Sequence, residues 1–365
     1  MSNPTPKPLY HGEGVQSRQA WADIRPVDPS PLTDPSKYVA SPELAAAVNV
    51  ALDLGMPLLV TGEPGCGKSE LASSIAWELN FPILPDQQGL DAEQDPQPLR
   101  FTVKSDTHSS ELFYRFDTLG RFHKKDDGNS KPQEFITYEA LGKAILYAQG
   151  REQVSKKLMR QADWEKLPHQ PCRAVVLIDE IDKAPREVPN DILNEIERLS
   201  FKIPELFEYF PDAVAIGADN PYRPVIIITS NDERPLPKAF LRRCVYLHMQ
   251  PPPYRGAKYS IEGIVKNRLF QRFGPDIAAD KLRLMDEAIS LYEHLRESKK
   301  LDKPPSVAEL LAWVYYLSRQ QTEAGLAPGR QDVIFHSSAR HALLKLQNDQ
   351  KKGAELIQSW VRGGA

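Results

Sequence analysis

The apolar positions of this chain fall into two regimes. Up to about residue 250, short β-type runs alternate with stretches of helical spacing; beyond it only helical spacing remains. The runs are 57–60, 100–104, 174–178 (AVVLI), 224–229 (PVIIIT) and 244–249 (CVYLHM). A run apolar at every position suits a strand buried on both faces, as in a parallel sheet covered by helices. Between the runs, Leu71, Ile75 and Leu79 recur at spacings of four and predict a helix over 68–79. Ile192, Ile196 and Leu199 do the same for 188–199, and Leu44, Val48 and Leu52 form one face of a helix that Ser41 can cap. Residues 109–122 read as helical in parts, with Leu112, Phe116 and Leu119 aligned, and 138–149 as helical again. The stretch 151–171 reads as a polar surface insertion, 201–220 as irregular with a small hairpin, and 237–243 as a short helical turn. Strands alternating with helices predict an α/β fold, an αβα sandwich around a parallel sheet.

The proline run at 251–253 marks a boundary. After it, Met285, Ile289 and Tyr292 share one face, Val307, Leu310, Leu311 and Val314 another, and Ala342, Leu343, Leu346 and Ile357 belong to the last helices. Pro328 and Gly353 are expected to interrupt them. Residues 1–36 are rich in proline and polar residues and read as an extended arm. The expected organisation is therefore an arm over 1–36, an α/β unit over 37–250 and an all-helical domain over 251–365. The acid-rich connection 82–98 and the charged run 124–131 read as exposed loops.

Composition narrows the classes. With 365 residues the chain is long enough for about two domains, and 41% hydrophobic with 26% charged residues is an ordinary globular balance. A net charge of −3 gives no general signature of nucleic-acid binding. Cys66, Cys172 and Cys244 form no CxxC pair, so neither a zinc site nor a disulfide framework is indicated. Without an apolar run of membrane length or a signal-peptide pattern, the expectation is a cytoplasmic protein with no membrane insertion.

The candidate chemistry centres on residues 58–69, LLVTGEPGCGKS. Gly62, Gly67, Lys68 and Ser69 fit the phosphate-loop pattern, with four residues between the glycines. Glycines let backbone N–H groups turn inward around phosphate oxygens, where side chains would block the approach. The candidate nucleotide-binding residues are Gly62, Glu63, Pro64, Gly65, Cys66, Gly67, Lys68, Ser69 and Glu70. Lys68 brings positive charge to the terminal phosphates, and the following helix points its positive end at them. Tyr38 and Val39, just upstream, are candidates for contact with a base, with ordinary packing as the favoured alternative. Asp179 and Glu180 end a buried strand, where open α/β sheets bind ligands. Ser69 and Asp179 are the candidate Mg²⁺ ligands, Asp179 acting through water. Glu180 is the candidate to polarise an attacking water, with Asp182 the next acid along. Asn231, after the fourth run, can hold that water or a phosphate oxygen.

This order of parts resembles an AAA+ ATPase, and the stretches TGEPGCGKS, VVLIDEIDKA, ILNEIERLSFKIPEL, VIIITSNDERPLPKAFLRRCVY and KPPSVAELLAW resemble the MoxR-type family. They span roughly residues 40–320, and SNDERPLPKAFLRRC is the most particular of them. The resemblance implies strand order 5-1-4-3-2, a helical lid and a homo-oligomeric ring, usually hexameric. It implies ATP with Mg²⁺ as cofactors and Asn231 as the first sensor. It places a trans-acting arginine finger at Arg243, with Arg242 as the rival, because Arg242 stands where the family has an aspartate. An insert in the second core helix would fall within 109–138. Ala308 stands where the family often has a γ-phosphate-sensing arginine. The implied function is an ATP-hydrolysing ring motor that remodels or assembles a protein complex, with a von Willebrand factor A domain partner. The alternatives are a nucleic-acid-linked motor or a nucleotide-controlled signalling or defence scaffold; near-neutral charge disfavours the nucleic-acid motor. Phe113 and Tyr114 would line a pore in such a motor, but aromatics at helical spacing usually pack in a core.

Overall fold

Residues 30–85, 95–124, 131–270, 277–320 and 328–363 are described in a computed structural model of the chain. The arm up to residue 29, the acid-rich connection at 86–94 and the charged run at 125–130 lie outside the described residues. In chain order the strands are β1 (Leu58–Gly62), β2 (Leu99–Thr102), β3 (Tyr114–Phe116), β4 (Ile136–Tyr138), β5 (Val175–Asp179), β6 (Ser200–Phe201), β7 (Val214–Ala215), β8 (Val225–Thr229) and β9 (Val245–Met249).

The main sheet runs β2-β5-β8-β1-β9 with every neighbouring pair parallel. Numbered among themselves, these five strands have the order 5-1-4-3-2. The three central strands are the most apolar runs: β1 and β8 are buried at every position and β5 up to Asp179. The edge strands differ, β2 alternating buried and exposed positions and β9 half-buried and exposed ones, because each has a neighbour on one side only. Register aligns Thr102 with Asp179 and Ile178 with Ile228, which brings the carboxyl ends of β2, β5 and β8 together.

The chain forms two compact units. One comprises residues 40–63 and 68–250; the other comprises 1–39, 64–67 and 251–365. In the first, the helix Pro42–Leu54 starts as expected at Ser41, whose hydroxyl accepts the Leu44 N–H at 3.2 Å. The predicted helix at 188–199 divides into Val188–Asp191 and Leu193–Arg198, and Leu199 turns left-handed, yet Ile192, Ile196 and Leu199 are all buried. The expected small hairpin is β6 with β7.

Two local readings are corrected. Residues 109–122 are not one helical face. A 3₁₀ turn, Ser109–Leu112, leads into β3, which pairs antiparallel with β4, and a helix, Thr118–Lys124, follows. Leu112 is buried while Leu119 is 74% exposed, so the spacing of four across a strand carried no common face. Residues 151–171, read as a polar surface insertion, also contribute to the core. Val154, Leu158, Met159 and Leu167 are buried, and the Trp164 indole N–H donates to the Val154 carbonyl at 3.0 Å. Their apolar side chains are scattered without a period, and the backbone, irregular apart from the short helix Gln161–Glu165, turns these four inward.

The second unit is helical. Its helices include Ile261–Val265, Ala279–Glu297, Val307–Ser318, Val333–Leu343 and Gln347–Arg362. Met285, Ile289 and Tyr292 meet Leu310, Trp313 and Val314 in one core, with Phe335 set edge-on to Trp313 and stacked on Trp360. Gly353 does not interrupt a helix, as its sequence position suggested. It lies inside Gln347–Arg362, where an added Cβ would stand 2.1 Å from Leu344 Cδ1, so the glycine admits the Leu344 side chain. The Arg268 guanidinium bonds to the Leu32 carbonyl, and the Asn267 side chain donates to the Lys37 carbonyl at 3.0 Å. Among the described residues no helix is long and apolar enough to cross a membrane.

Candidate functional site

β1 leads directly into the glycine-rich loop. Gly65 (φ +75°) and Gly67 (φ +94°) take backbone conformations that a side chain would strain, as a phosphate-cradling loop requires. Lys68 is 6% exposed, and its ammonium donates to the Gly62 and Glu63 carbonyls at 2.8 and 2.9 Å. These bonds hold the ammonium at the start of the loop, where its positive charge can attract an anion. The helix Glu70–Glu78 starts two residues later, and the start of a helix leaves backbone N–H groups for an anion. The loop thus fits the phosphates of a nucleotide.

Within the helical unit, which includes loop residues 64–67, the Ala308 N–H donates to the Gly65 carbonyl at 3.1 Å. A Cβ on Gly65 would stand 2.7 Å from Ser306 Oγ. The position expected to carry a sensing arginine therefore makes a main-chain contact with the loop. Tyr38 also lies beside the loop, 3.4 Å from where a Cβ on Gly67 would be, and the Arg268 guanidinium sits 5.9 Å from its ring centroid.

At the ends of β5 and β8 the predicted acids and the predicted amide form one bonded network. Asp179 Oδ1 accepts the Ser69 hydroxyl at 2.8 Å and the Thr229 hydroxyl at 2.5 Å, and Asp179 Oδ2 lies 3.7 Å from Arg100. A hydroxyl and a carboxylate so paired are the hard oxygen donors that Mg²⁺ takes when phosphates and water supply its remaining ligands. Among the described residues there is no cluster of three or more His, Cys, Asp or Glu side chains arranged for a metal.

Glu180 has left-handed backbone angles, φ +62° and ψ +48°, unusual for a residue with a long side chain. Its N–H donates to Thr229 Oγ1 at 3.0 Å, which helps to hold that conformation. Its carboxylate is gripped from two sides, Oε2 by the Lys183 ammonium at 2.6 Å and Oε1 by the Asn231 amide at 3.4 Å. The bond to Glu180 raises the pKa of Lys183 above the ordinary lysine value. Asp182, considered from sequence as a spare acid, is 2% exposed and accepts the backbone N–H groups of Asn231 and Glu233. Ser69, Asp179, Glu180 and Asn231 are thus brought together as expected.

The arginine pair stands outside this network. Arg243 donates to Glu197 at 3.0 Å and to the Ala239 carbonyl at 3.4 Å, while Arg242 is exposed. Phe113 and Tyr114 are 2% and 6% exposed; Phe113 stacks on Phe201 and the Tyr114 hydroxyl donates to Glu205 at 2.9 Å. They pack in the core.

Sequence reasoning missed Thr229 and Lys183. Thr229 is the one polar residue of PVIIIT, and a hydroxyl ending a buried run beside a strand that ends in Asp-Glu was the available signal. Lys183, three residues after Glu180, had the spacing of an ion pair on one helical turn.

No curated protein matches the chain. The model of the ATPase family associated with various cellular activities (AAA) matches residues 58–250, from the first residue of β1 to just past the end of β9 and over more than half of the sequence, and the chain belongs to this family.

Proposed function

We propose that the chain is a Mg²⁺-dependent ATPase of MoxR type, working as a ring of identical subunits that remodels or assembles a protein complex. Membership of the AAA family supports ATP binding and hydrolysis in general. The observation that carries the reading is the contact between the Glu180 carboxylate and the Asn231 amide, beside the Ser69–Asp179 pair. Lys68 and the loop N–H groups bind the phosphates. Ser69 and, through water, Asp179 would hold the metal, which when bound would supply positive charge to neutralise the transferring phosphoryl group. Glu180 accepts a hydrogen bond from water and draws on its proton, and Asn231 fixes the direction of attack. To act, Glu180 must loosen its bond to Lys183, a half-exposed pair that solvent screens.

The MoxR assignment is supported by the SNDERPLPKAFLRRC stretch and by the β3–β4 hairpin, which falls where that group carries its insert. The hexameric ring and a von Willebrand factor A domain partner rest on the same resemblance. In the ring, Arg243 reaches the nucleotide of a neighbouring subunit. Its bond to Glu197 joins two side chains that are 41% and 60% exposed, so exchanging it for a phosphate is inexpensive.

The test mixes two inactive variants. Glu180→Gln should bind Mg·ATP and hydrolyse it about a hundredfold or more slowly, and Arg243→Ala should behave alike. Mixed rings, verified by co-purification, should regain activity that neither parent has, since one contributes an intact site and the other an intact finger. Recovery with Arg242→Ala and not with Arg243→Ala would move the role to Arg242. Full activity of each variant as a monomer would remove the ring.

A further inference from the structure

We propose that Asp182 is a positioning residue for hydrolysis, bracing the loop after β8 so that the Asn231 amide meets Glu180. The proposal rests on the ATPase reading of this site. Asp182 lies in the 3₁₀ turn Ile181–Lys183, directly after Glu180. Its Oδ2 accepts the Asn231 N–H at 3.2 Å and the Glu233 N–H at 2.9 Å. Those two bonds tie the exit of β5 to the exit of β8.

The loop they hold is not one that the backbone adopts freely. Asp232, between the two bonded residues, is left-handed at φ +58°, and its N–H turns back to Ser230 Oγ at 3.0 Å. Fixing the Asn231 backbone fixes the origin of its side chain. The reward is the 3.4 Å contact from Asn231 Nδ2 to Glu180 Oε1, already near the limit of a hydrogen bond. A shift of a few tenths of an ångström would lose it, and small misplacements at a reacting centre are costly in rate.

The same short turn serves both partners. Lys183 bonds Glu180 directly, and Asp182 sets the group on the other side of Glu180. Asp182 Oδ1, meanwhile, is buried with no hydrogen-bond partner among the described residues. The brace therefore needs one acceptor oxygen and makes no use of the second.

That asymmetry gives the test. Asp182→Asn can place its carbonyl where Oδ2 stands and keep both bonds, with the amide nitrogen at the unpartnered position. Asp182→Leu is of similar size and accepts nothing. With Mg·ATP, Asp182→Leu should lower kcat about tenfold or more and leave KM and nucleotide affinity within about twofold. Asp182→Asn should restore most of the turnover. In an Asn231→Ala background, Asp182→Leu should cause no further loss of kcat, because it acts through Asn231. If Asp182→Leu melts below the assay temperature, Asp182→Ser replaces it, since its hydroxyl stops short of both N–H groups. An additive loss in the double variant, an Asn variant as slow as the Leu variant, or a raised KM at unchanged kcat would each overturn the role while wild-type turnover stands. Nucleotide binding without wild-type turnover would overturn the ATPase reading itself, and the role with it.

Discussion

Two buried carboxylates, one in each unit, accept two backbone N–H groups apiece, and they divide the work differently. In the helical unit Asp349 is fully buried and shares the load: Oδ1 takes the Asp302 N–H and Oδ2 the Lys303 N–H, both at 2.8 Å. In the α/β unit Asp182 takes both of its N–H groups on one oxygen and leaves the other without a partner among the described residues. The surroundings follow suit. Ser306 and Glu309 close a reciprocal capping box, and the Trp313 indole donates to Ser338 at 2.9 Å. At the strand ends, Glu180 and Asp232 sit in left-handed backbone and Lys68 leans on carbonyls. Among the described residues Arg330 and Arg340 each leave one buried Nε unpaired in the helical unit, but a guanidinium has other donors, and Arg330 also lies 4.0 Å from the Trp360 centroid. The helical unit spends its polar groups on its own stability. In the α/β unit the left-handed residues Glu180 and Asp232 and the second oxygen of Asp182 gather at the strand ends, where a ligand is expected.

The largest expected effect separates the units by binding. Lys68→Ala should weaken ATP affinity about a hundredfold, the scale of about 3 kcal/mol for losing a charged contact, while the melting temperature moves little. Lys281→Ala removes a comparable ammonium, bonded to the Ser318 carbonyl at 2.9 Å in the helical unit, and should leave affinity unchanged. Calorimetric titration beside thermal melts checks both; equal affinity losses would erase the distinction.

A single substitution made in both units sharpens it. Asp349→Asn offers one carbonyl to two N–H groups on opposite oxygens, so the amide nitrogen must face a donor. Denaturant unfolding should show a loss of about 1–3 kcal/mol, with kcat per folded molecule unaltered. Asp182→Asn should stay within about 1 kcal/mol of wild type, because its amide nitrogen meets no donor. Equal losses would mean that the unshared oxygen of Asp182 has no consequence.

What the sequence made legible follows the range of the interactions involved. The apolar runs of β1, β5 and β8 announced buried parallel strands, and the loop from Gly62 to Ser69 announced its own chemistry, because both are local patterns. Thr229 and the true role of Asp182 were not legible. Each depends on β8 lying beside β5 in one register, Ile178 against Ile228, and no local pattern states that pairing. The misreading of 109–122 has a different source. Leu112, Phe116 and Leu119 match a helical period by coincidence, and a short segment cannot separate the helix and strand periods. Gly353 was taken for a breaker because the Leu344 side chain that fills its place comes from outside its helix.

The smallest expected effect is a difference in how the two units answer alkaline pH. In the α/β unit burial raises the pKa of Tyr138 and Tyr114 above the ordinary tyrosine value, with Glu205 adding to the Tyr114 shift, and it pushes the Cys244 thiol up to about 12. In the helical unit burial likewise raises Tyr254. Each group holds its proton more tightly folded than unfolded. Its contribution is fully present below the unfolded pKa, about 8.5 for the thiol and about 10 for tyrosine, and is lost as pH rises towards the folded value. The α/β unit should therefore begin to weaken above about pH 9, and more steeply than the helical unit. Urea unfolding at several pH values, read from Trp164 for one unit and Trp313 for the other in single-tryptophan variants, measures the two slopes. Tyr138→Phe removes the hydroxyl that donates to the Leu158 carbonyl at 2.9 Å. It should lower stability by about 1 kcal/mol at pH 7 and flatten the alkaline slope of the α/β unit. A slope unchanged by that substitution, or equal in both units, would show that the alkaline loss comes from repulsion among surface charges and not from these buried groups.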